Sequence, residues 1–260
     1  MPSIPVLLTL LCLGQATDNE VSLDVMQKRV EPTRISLLNG EGKKDGGVNA
    51  RLVEKPVFRY SDELREIEDA GIWLWTDRNR PVAAMKVERY KVGRLARPWL
   101  YCFASLSSDL VRAEWMDDAP FQARKPGIKW QPLDDQPAKT RPARLVQMRE
   151  FARRFSAEIL ADPAGTNRSQ MRLLTRPLFR SDESSDVLDG AVFGFTGTGT
   201  NPDMLLLFDL TSEGGWRFGA AGMTAEGVIV QLKDKVVYES PHTAGKGKVF
   251  DTWCYFLATK

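Results

Sequence analysis

The sequence predicts an α+β protein, mainly antiparallel β, in which two tandem repeats share one core and are joined by one amphipathic helix. Three observations carry this: a run of text that occurs twice in the same order, a two-residue alternation of large apolar side chains inside each copy, and one stretch between the copies with helical spacing. With 260 residues, 43% of them hydrophobic, the chain holds enough apolar material for a sizeable core.

The repeated text begins with Arg51–Arg59, RLVEKPVFR, which stands in register with Arg172–Arg180, RLLTRPLFR; five of the nine positions are identical. Asp62-Glu63 then matches Asp182-Glu183, and DAGIWLW from Asp69 answers DGAVFGF from Asp189. Pro81–Glu88 answers Pro202–Asp209, Trp99-Leu100-Tyr101 answers Trp216-Arg217-Phe218, and Val111–Gln122 answers Val228–Glu239. Collinear blocks with small drifts in spacing are what duplication followed by loop deletion produces. The chain accordingly divides into a leader at 1–16, an N-terminal extension at 17–49 and a first β repeat at 50–122. A Pro-rich connection with its helix follows at 123–170, then a second β repeat at 171–239 and a C-terminal strand at 240–260.

Within the repeats, Trp73 and Trp75 alternate with Ile72 and Leu74, and Tyr101 and Phe103 with Leu100 and Cys102, the period of a pleated ladder. Asp77-Arg78-Asn79-Arg80-Pro81 and Gly197–Pro202 sit at matching places and read as hairpin connections. Met204–Phe208 is continuously apolar, which predicts a strand buried on both faces; its counterpart Ala83–Glu88 alternates and reads as half exposed. Between the copies, Leu145, Met148, Ala152, Phe155 and Ile159 recur at three- and four-residue spacing, which predicts a helix over 144–160, ended by Pro163 and Gly165.

Charge and composition exclude whole classes of function. Lys plus Arg number 36 against 34 for Asp plus Glu, a formal net charge of +2, so no whole-protein field attracts nucleic acid. A single histidine, His242, removes most histidine-based catalytic and metal-binding arrangements. The opening MPSIPVLLTLLCLGQA is a short apolar run ending in Gly14-Gln15-Ala16, the pattern of a cleaved export signal, although no basic residue precedes it. It is too short to span a bilayer, and no other segment is long and apolar enough to do so. After cleavage Cys102 and Cys254 remain, and an oxidising compartment would permit a disulfide between them.

Few residues suggest chemistry. Arg59 and Arg180 are matched across the repeats and each is soon followed by an acid, Asp62 or Asp182; they read as a pair of anion sites or as strand-end ion pairs. Trp99 and Trp216, with Trp73, Trp75, Tyr101, Phe103, Phe193, Phe195 and Phe218, read either as a platform for sugar rings or as core. Asp117-Asp118 and Asp134-Asp135 lack the spacing of a calcium loop or a paired-carboxylate site. No catalytic residue, cofactor or metal is therefore expected. The expectation is a binding or cell-envelope structural protein whose partner is a carbohydrate or another envelope protein, with a carboxylate-dependent hydrolase as the alternative.

RLLTRPLFR, DGAVFGF, the apolar strand led by Pro202-Asp203, the strand led by Trp216 and the run RLVQMREFARRFSAE together resemble an uncharacterised family of planctomycete exported proteins, over roughly residues 50 to 235. The resemblance implies a bacterial envelope setting and brings no catalytic residue with it.

Overall fold

Large apolar residues at period two make strands, and the turn residues between them decide how those strands fold back. The computed structural model describes residues 18–38, 48–91, 93, 99–115, 121–243 and 252–258; the proposed leader lies outside these. The chain opens with helix α1 (Asp18–Val30) and strands β1 (Arg34–Leu38), β2 (Val48–Asn49), β3 (Arg51–Leu52) and β4 (Phe58–Asp62). Then come β5 (Ile67–Asp77), β6 (Arg80–Tyr90), β7 (Trp99–Ser105), β8 (Leu110–Glu114), β9 (Phe121–Gln122) and β10 (Gln131–Leu133). A second series follows with α2 (Arg141–Arg153), β11 (Phe155–Leu160), β12 (Arg168–Gln170), β13 (Arg172–Leu173) and β14 (Phe179–Ser181). It continues through β15 (Val187–Thr196), β16 (Met204–Thr211), β17 (Trp216–Gly222), β18 (Gly227–Leu232) and β19 (Lys235–Ser240) to β20 (Trp253–Ala258).

These strands form four sheets, and every pairing is antiparallel. In the first half, β20-β7-β6-β5-β3 with β4 also on β5 makes a six-stranded sheet, and β2-β1-β8-β9 a four-stranded one. In the second half, β10-β17-β16-β15-β13 with β14 on β15 makes the larger sheet, and β12-β11-β18-β19 the smaller. Pairings run in step in the two halves: Leu52 faces Trp75 and Leu173 faces Phe195, while Glu88 faces Leu100 and Asp209 faces Arg217. Arg78 and Asn79 both hold positive φ, 45° and 63°, the backbone of the tight turn that closes β5 on β6, as the sequence expects at this place. One exchange joins the halves: β10, which follows the first half, pairs with β17 of the second, and β20, which follows the second, pairs with β7 of the first.

The helices and small sheets cover one face of each large sheet. Met26, Val30 and Ile35 pack on Trp73, Trp75, Met85, Tyr101 and Phe103, and Met148, Phe151 and Phe155 on Phe193, Leu206, Phe208 and Phe218. The opposite faces meet each other, with Leu74, Ala84 and Ala104 against Val192, Leu205 and Leu207. Among the described residues the expected single core is therefore two cores, one per half, with a third along the seam and a small fourth cluster of Tyr60, Ile67, Ala70 and Ile72.

Three expectations change. The region expected as a helix over 144–160 divides: α2 ends at Arg153, capped by Arg154, and Phe155–Leu160 is a strand that pairs with β18. Phe155 and Ile159 fit helical spacing and yet, with Ala157, are buried at period two; Arg154, whose backbone caps the helix, also pairs with Asp135 (2.7 Å). The stretch 17–49 is not an extension, since it supplies α1 and β1 to the first half's core. Finally, Ala83–Glu88 is buried on both faces, including Lys86 and Glu88. No helix among the described residues is long and apolar enough to cross a membrane.

Phe155 packs edge-on against Phe218, centroids 4.9 Å apart, and against Phe208 at 5.9 Å. Phe155→Ala should cost about 3–5 kcal/mol in denaturant unfolding. A loss below about 1 kcal/mol would show that β11 and α2 are peripheral.

Candidate functional site

Burying both faces of a strand forces any polar side chain on it to find partners inside the protein. β6 carries two such side chains on the seam face, Lys86 and Glu88, 2% and 3% exposed. The partners come largely from the other half. Lys86 donates to Oδ1 of Asn201 (2.7 Å) and to the Met223 carbonyl (2.9 Å). Glu88 accepts from Tyr60 (2.6 Å) and from Nδ2 of Asn201 (3.2 Å) on one oxygen, and from Tyr90 (3.0 Å) on the other. A single amide thus spans an ammonium and a carboxylate, its oxygen toward the cation and its nitrogen toward the anion.

Asn201 is held in place by the loop that carries it. Gly199 in that loop has φ +56°, and a Cβ there would lie 2.7 Å from the Asp62 carboxyl group, so the close approach requires glycine. Thr200 donates to the Ser61 carbonyl (2.9 Å), and Arg65 grips Asp203 with two nitrogens (2.9 and 3.4 Å). Asp203 is 1% exposed and also accepts from the Gly197 amide (2.8 Å). The other hairpin docks in the reverse sense, with Arg78 paired to Asp186 (2.5 Å).

A cavity of about 380 Å³ opens on this network, lined by Arg65, Lys86, Glu88, Tyr90, Cys102, Asn201, Asp203 and Glu226 together with Trp253 and Tyr255 of β20. A larger cleft of about 570 Å³ adjoins it, sharing Thr224 and Trp253. The charged residues of that cleft, Lys125, Lys129 and Glu239, are all exposed, so of the two the smaller cavity is the one with buried charged groups. Burial, reinforced by Glu88, raises the Tyr60 and Tyr90 hydroxyls and the Cys102 thiol above their ordinary values, which keeps all three protonated. Burial also raises the Glu226 carboxyl; Arg65 opposes that shift and Asp203 adds to it.

At the matching place of the second half the charges are arranged differently. Leu207 stands where the first half has Lys86, and Asp209, in the place of Glu88, is met by Arg217 within its own sheet (2.9 Å). Burial raises the Asp209 carboxyl against the pull of Arg217. Arg217 in turn lies over the Trp130 ring, 4.4 Å from its centroid.

The residues singled out in the sequence lie elsewhere. Arg59 binds Asp69 through two nitrogens (2.9 and 2.6 Å), and Arg180 binds Asp189 likewise (3.0 and 2.8 Å). They are matched ion pairs, and the acids are the strand residues Asp69 and Asp189 in place of Asp62 and Asp182. Arg144 also binds Asp189 (2.9 Å), and burial of that carboxyl is outweighed by the two arginines, which hold it below its usual range. Asp182 takes Arg141 (2.7 Å). Trp99 and Trp216 support the helices: the Arg29 guanidinium lies 4.2 Å over the Trp99 ring, and Trp216 donates to Gln147 (3.1 Å). Trp73, Trp75, Tyr101, Phe103, Phe193, Phe195 and Phe218 are each at most 2% exposed, which removes the sugar platform. Cys102 and Cys254 are both free. Cys102 faces Tyr255 and Cys254 faces Phe103 across neighbouring strands, so the two thiols lie on opposite faces of the sheet and cannot be bridged. Asp117-Asp118 falls outside the described residues, and among the described residues no cluster suits a metal ion.

Sequence reasoning missed Lys86, Glu88, Asn201 and Glu226. The available signal was the match between Ala83–Glu88 and the wholly apolar Met204–Phe208, since equivalent strands bury equivalent faces. Asn201→Ala leaves Lys86 short of an acceptor and Glu88 short of a donor, and should cost about 2–4 kcal/mol in denaturant unfolding. Thr200→Ala, which removes a hydrogen bond of an exposed side chain in the same loop, should cost about 1 kcal/mol or less. Equal losses for the two variants would show that the buried charges do not depend on Asn201. Compared with models of known protein families, with curated proteins and with solved structures, the chain matches none.

Proposed function

We propose that this chain is an exported, non-enzymatic binding protein of the bacterial cell envelope, with its ligand in the cavity at the seam between two duplicated halves. One observation carries the binding reading: the cavity is preformed, and most of its ionisable groups are fixed by protein partners. Glu88 holds three donors, Arg65 and Asp203 hold each other, and Lys86 holds an amide and a carbonyl. Fixed polar groups around a preformed cleft suit recognition. A protonated thiol and protonated phenols supply no nucleophile or base.

The alternative, a carboxylate-dependent hydrolase, draws on Glu88, Asp203 and Glu226 lining one cavity, with Glu226 raised. Glycoside hydrolysis needs two working carboxylates. Glu88 and Asp203 are saturated by donors, which leaves Glu226 alone, so binding is the better-supported reading. Duplication is supported by the matched order of elements, the matched pairings and the matched Arg59–Asp69 and Arg180–Asp189 ion pairs.

A thermal-shift screen of the chain against small molecules and glycans tests the binding reading, because a ligand specific to the native state raises the melting temperature. A genuine cavity ligand should give a shift that Ala225→Trp, which places an indole against the cavity, abolishes. Shifts that survive this substitution would locate binding elsewhere. Export is tested separately by N-terminal sequencing of protein from the source cell, where a mature chain starting near Thr17 is expected and retention of Met1 would refute it.

A further inference from the structure

We propose that the ligand of the seam cavity carries an organic cation, an alkylammonium or quaternary ammonium group, held between the Glu226 carboxylate and the aromatic wall of Tyr90, Trp253 and Tyr255. This rests on the cavity being a binding site, and it assigns the ligand's chemistry from what the lining leaves unmatched.

Among the described residues, the lining carries two basic residues, Arg65 and Lys86, and three acidic ones, Glu88, Asp203 and Glu226, an excess of one negative charge. Four of these five are already engaged. Arg65 is bound by Asp203, Lys86 by Asn201 and the Met223 carbonyl, and Glu88 by two phenols and an amide. Glu226 differs. Its backbone amide donates to Thr224 Oγ1, but its carboxylate accepts no hydrogen bond and forms no ion pair with any described residue, and Arg65, Asp203 and His242 act on it only at longer range. The excess charge of the cavity is therefore concentrated on one half-buried carboxylate that faces open space.

The wall beside it favours the same ligand. Trp253 and Tyr255 are two residues apart on β20 and so share a face, their ring centroids 5.5 Å apart and inclined at 52°. Tyr90 keeps its hydroxyl on Glu88, which fixes its ring at the cavity edge. Aromatic faces attract cations through their quadrupole and repel anions, and the attraction grows as water is excluded. An anionic ligand would meet an uncompensated carboxylate, and a neutral one would leave that charge unanswered. Burial raises the Glu226 carboxyl and Asp203 adds to that, while Arg65 and His242 oppose the shift without cancelling it.

The test compares isosteres on the full chain by isothermal titration calorimetry. Choline is set against neutral 3,3-dimethylbutan-1-ol, n-butylammonium against n-butanol, and acetate serves as the anion; the two cations separate quaternary from primary recognition. At least one cation should bind about tenfold or more tightly than its neutral isostere. Glu226→Gln should lower that affinity about tenfold while leaving the unfolding midpoint near that of the parent, and Glu226→Asp should retain most of it. Equal affinity for cation and isostere overturns the proposal on the parent protein alone, whatever the variants do. So does undiminished cation binding by folded Glu226→Gln. If only neutral or anionic compounds bind in a manner abolished by Ala225→Trp, the cation is refuted and the binding reading stands. If no compound of any class does so, both fall.

Discussion

Everything in this fold follows from leaving no wet face on either large sheet. Each six-stranded sheet is covered on one side by a helix and a small sheet, and on the other by its counterpart. Apolar contacts alone would tolerate sliding along such a seam, because Leu, Val and Ala surfaces are nondirectional. Lys86 and Glu88 make sliding costly. An amide from the opposite hairpin must lie between them, and displacement by one residue would leave buried charges facing Leu205 and Leu207 without donors or acceptors. The polar network thus fixes the relative position of the two sheets.

The halves solve one problem in different ways. An acid stands at matching places on β6 and β16, and each is buried. In the second half Arg217 answers Asp209 from the adjacent strand and lies over the Trp130 ring, so the acid is satisfied from within its own sheet. In the first half Leu100 occupies the position facing Glu88, too short and apolar to answer it. Compensation comes instead from Tyr60, Tyr90 and Asn201, which approach from other directions and leave the cavity open. The two places thus differ in how the acid is answered: by Arg217 from the facing strand in the second half, and by two phenols and an amide from other directions where Leu100 faces Glu88 in the first.

What the sequence reveals follows from which signals are local. The antiparallel strands, the hairpin at Arg78-Asn79 and the doubly buried Met204–Phe208 were all legible, because turn chemistry and period-two alternation act over a few residues. The helix end was not. Phe155 and Ile159 satisfy helical and strand spacing together, and the deciding partner, β18, lies far along the chain. Helix α1 was hidden because, among its described side chains, the apolar ones that reach the core (Leu23, Val25, Met26 and Val30) are few and lie in an otherwise polar run. Lys86 and Glu88 were read as solvent-facing since alternation alone cannot tell water from a second sheet. An even number of cysteines permits a disulfide, but the register of their neighbouring strands places Cys102 and Cys254 on opposite faces.

The reciprocal strand exchange also shapes the order of assembly. β7 is complete early in synthesis, yet its pairing partner β20 is made only after the whole second half. Until then the first sheet presents an open row of amides and carbonyls beside a cluster of aromatic residues, the kind of template on which other chains add strands. β10 has the opposite timing, since it waits unpaired for β17. Neither half can close alone, and their pairing over long sequence separation predisposes the chain to slow folding and to dependence on chaperones while it is being made.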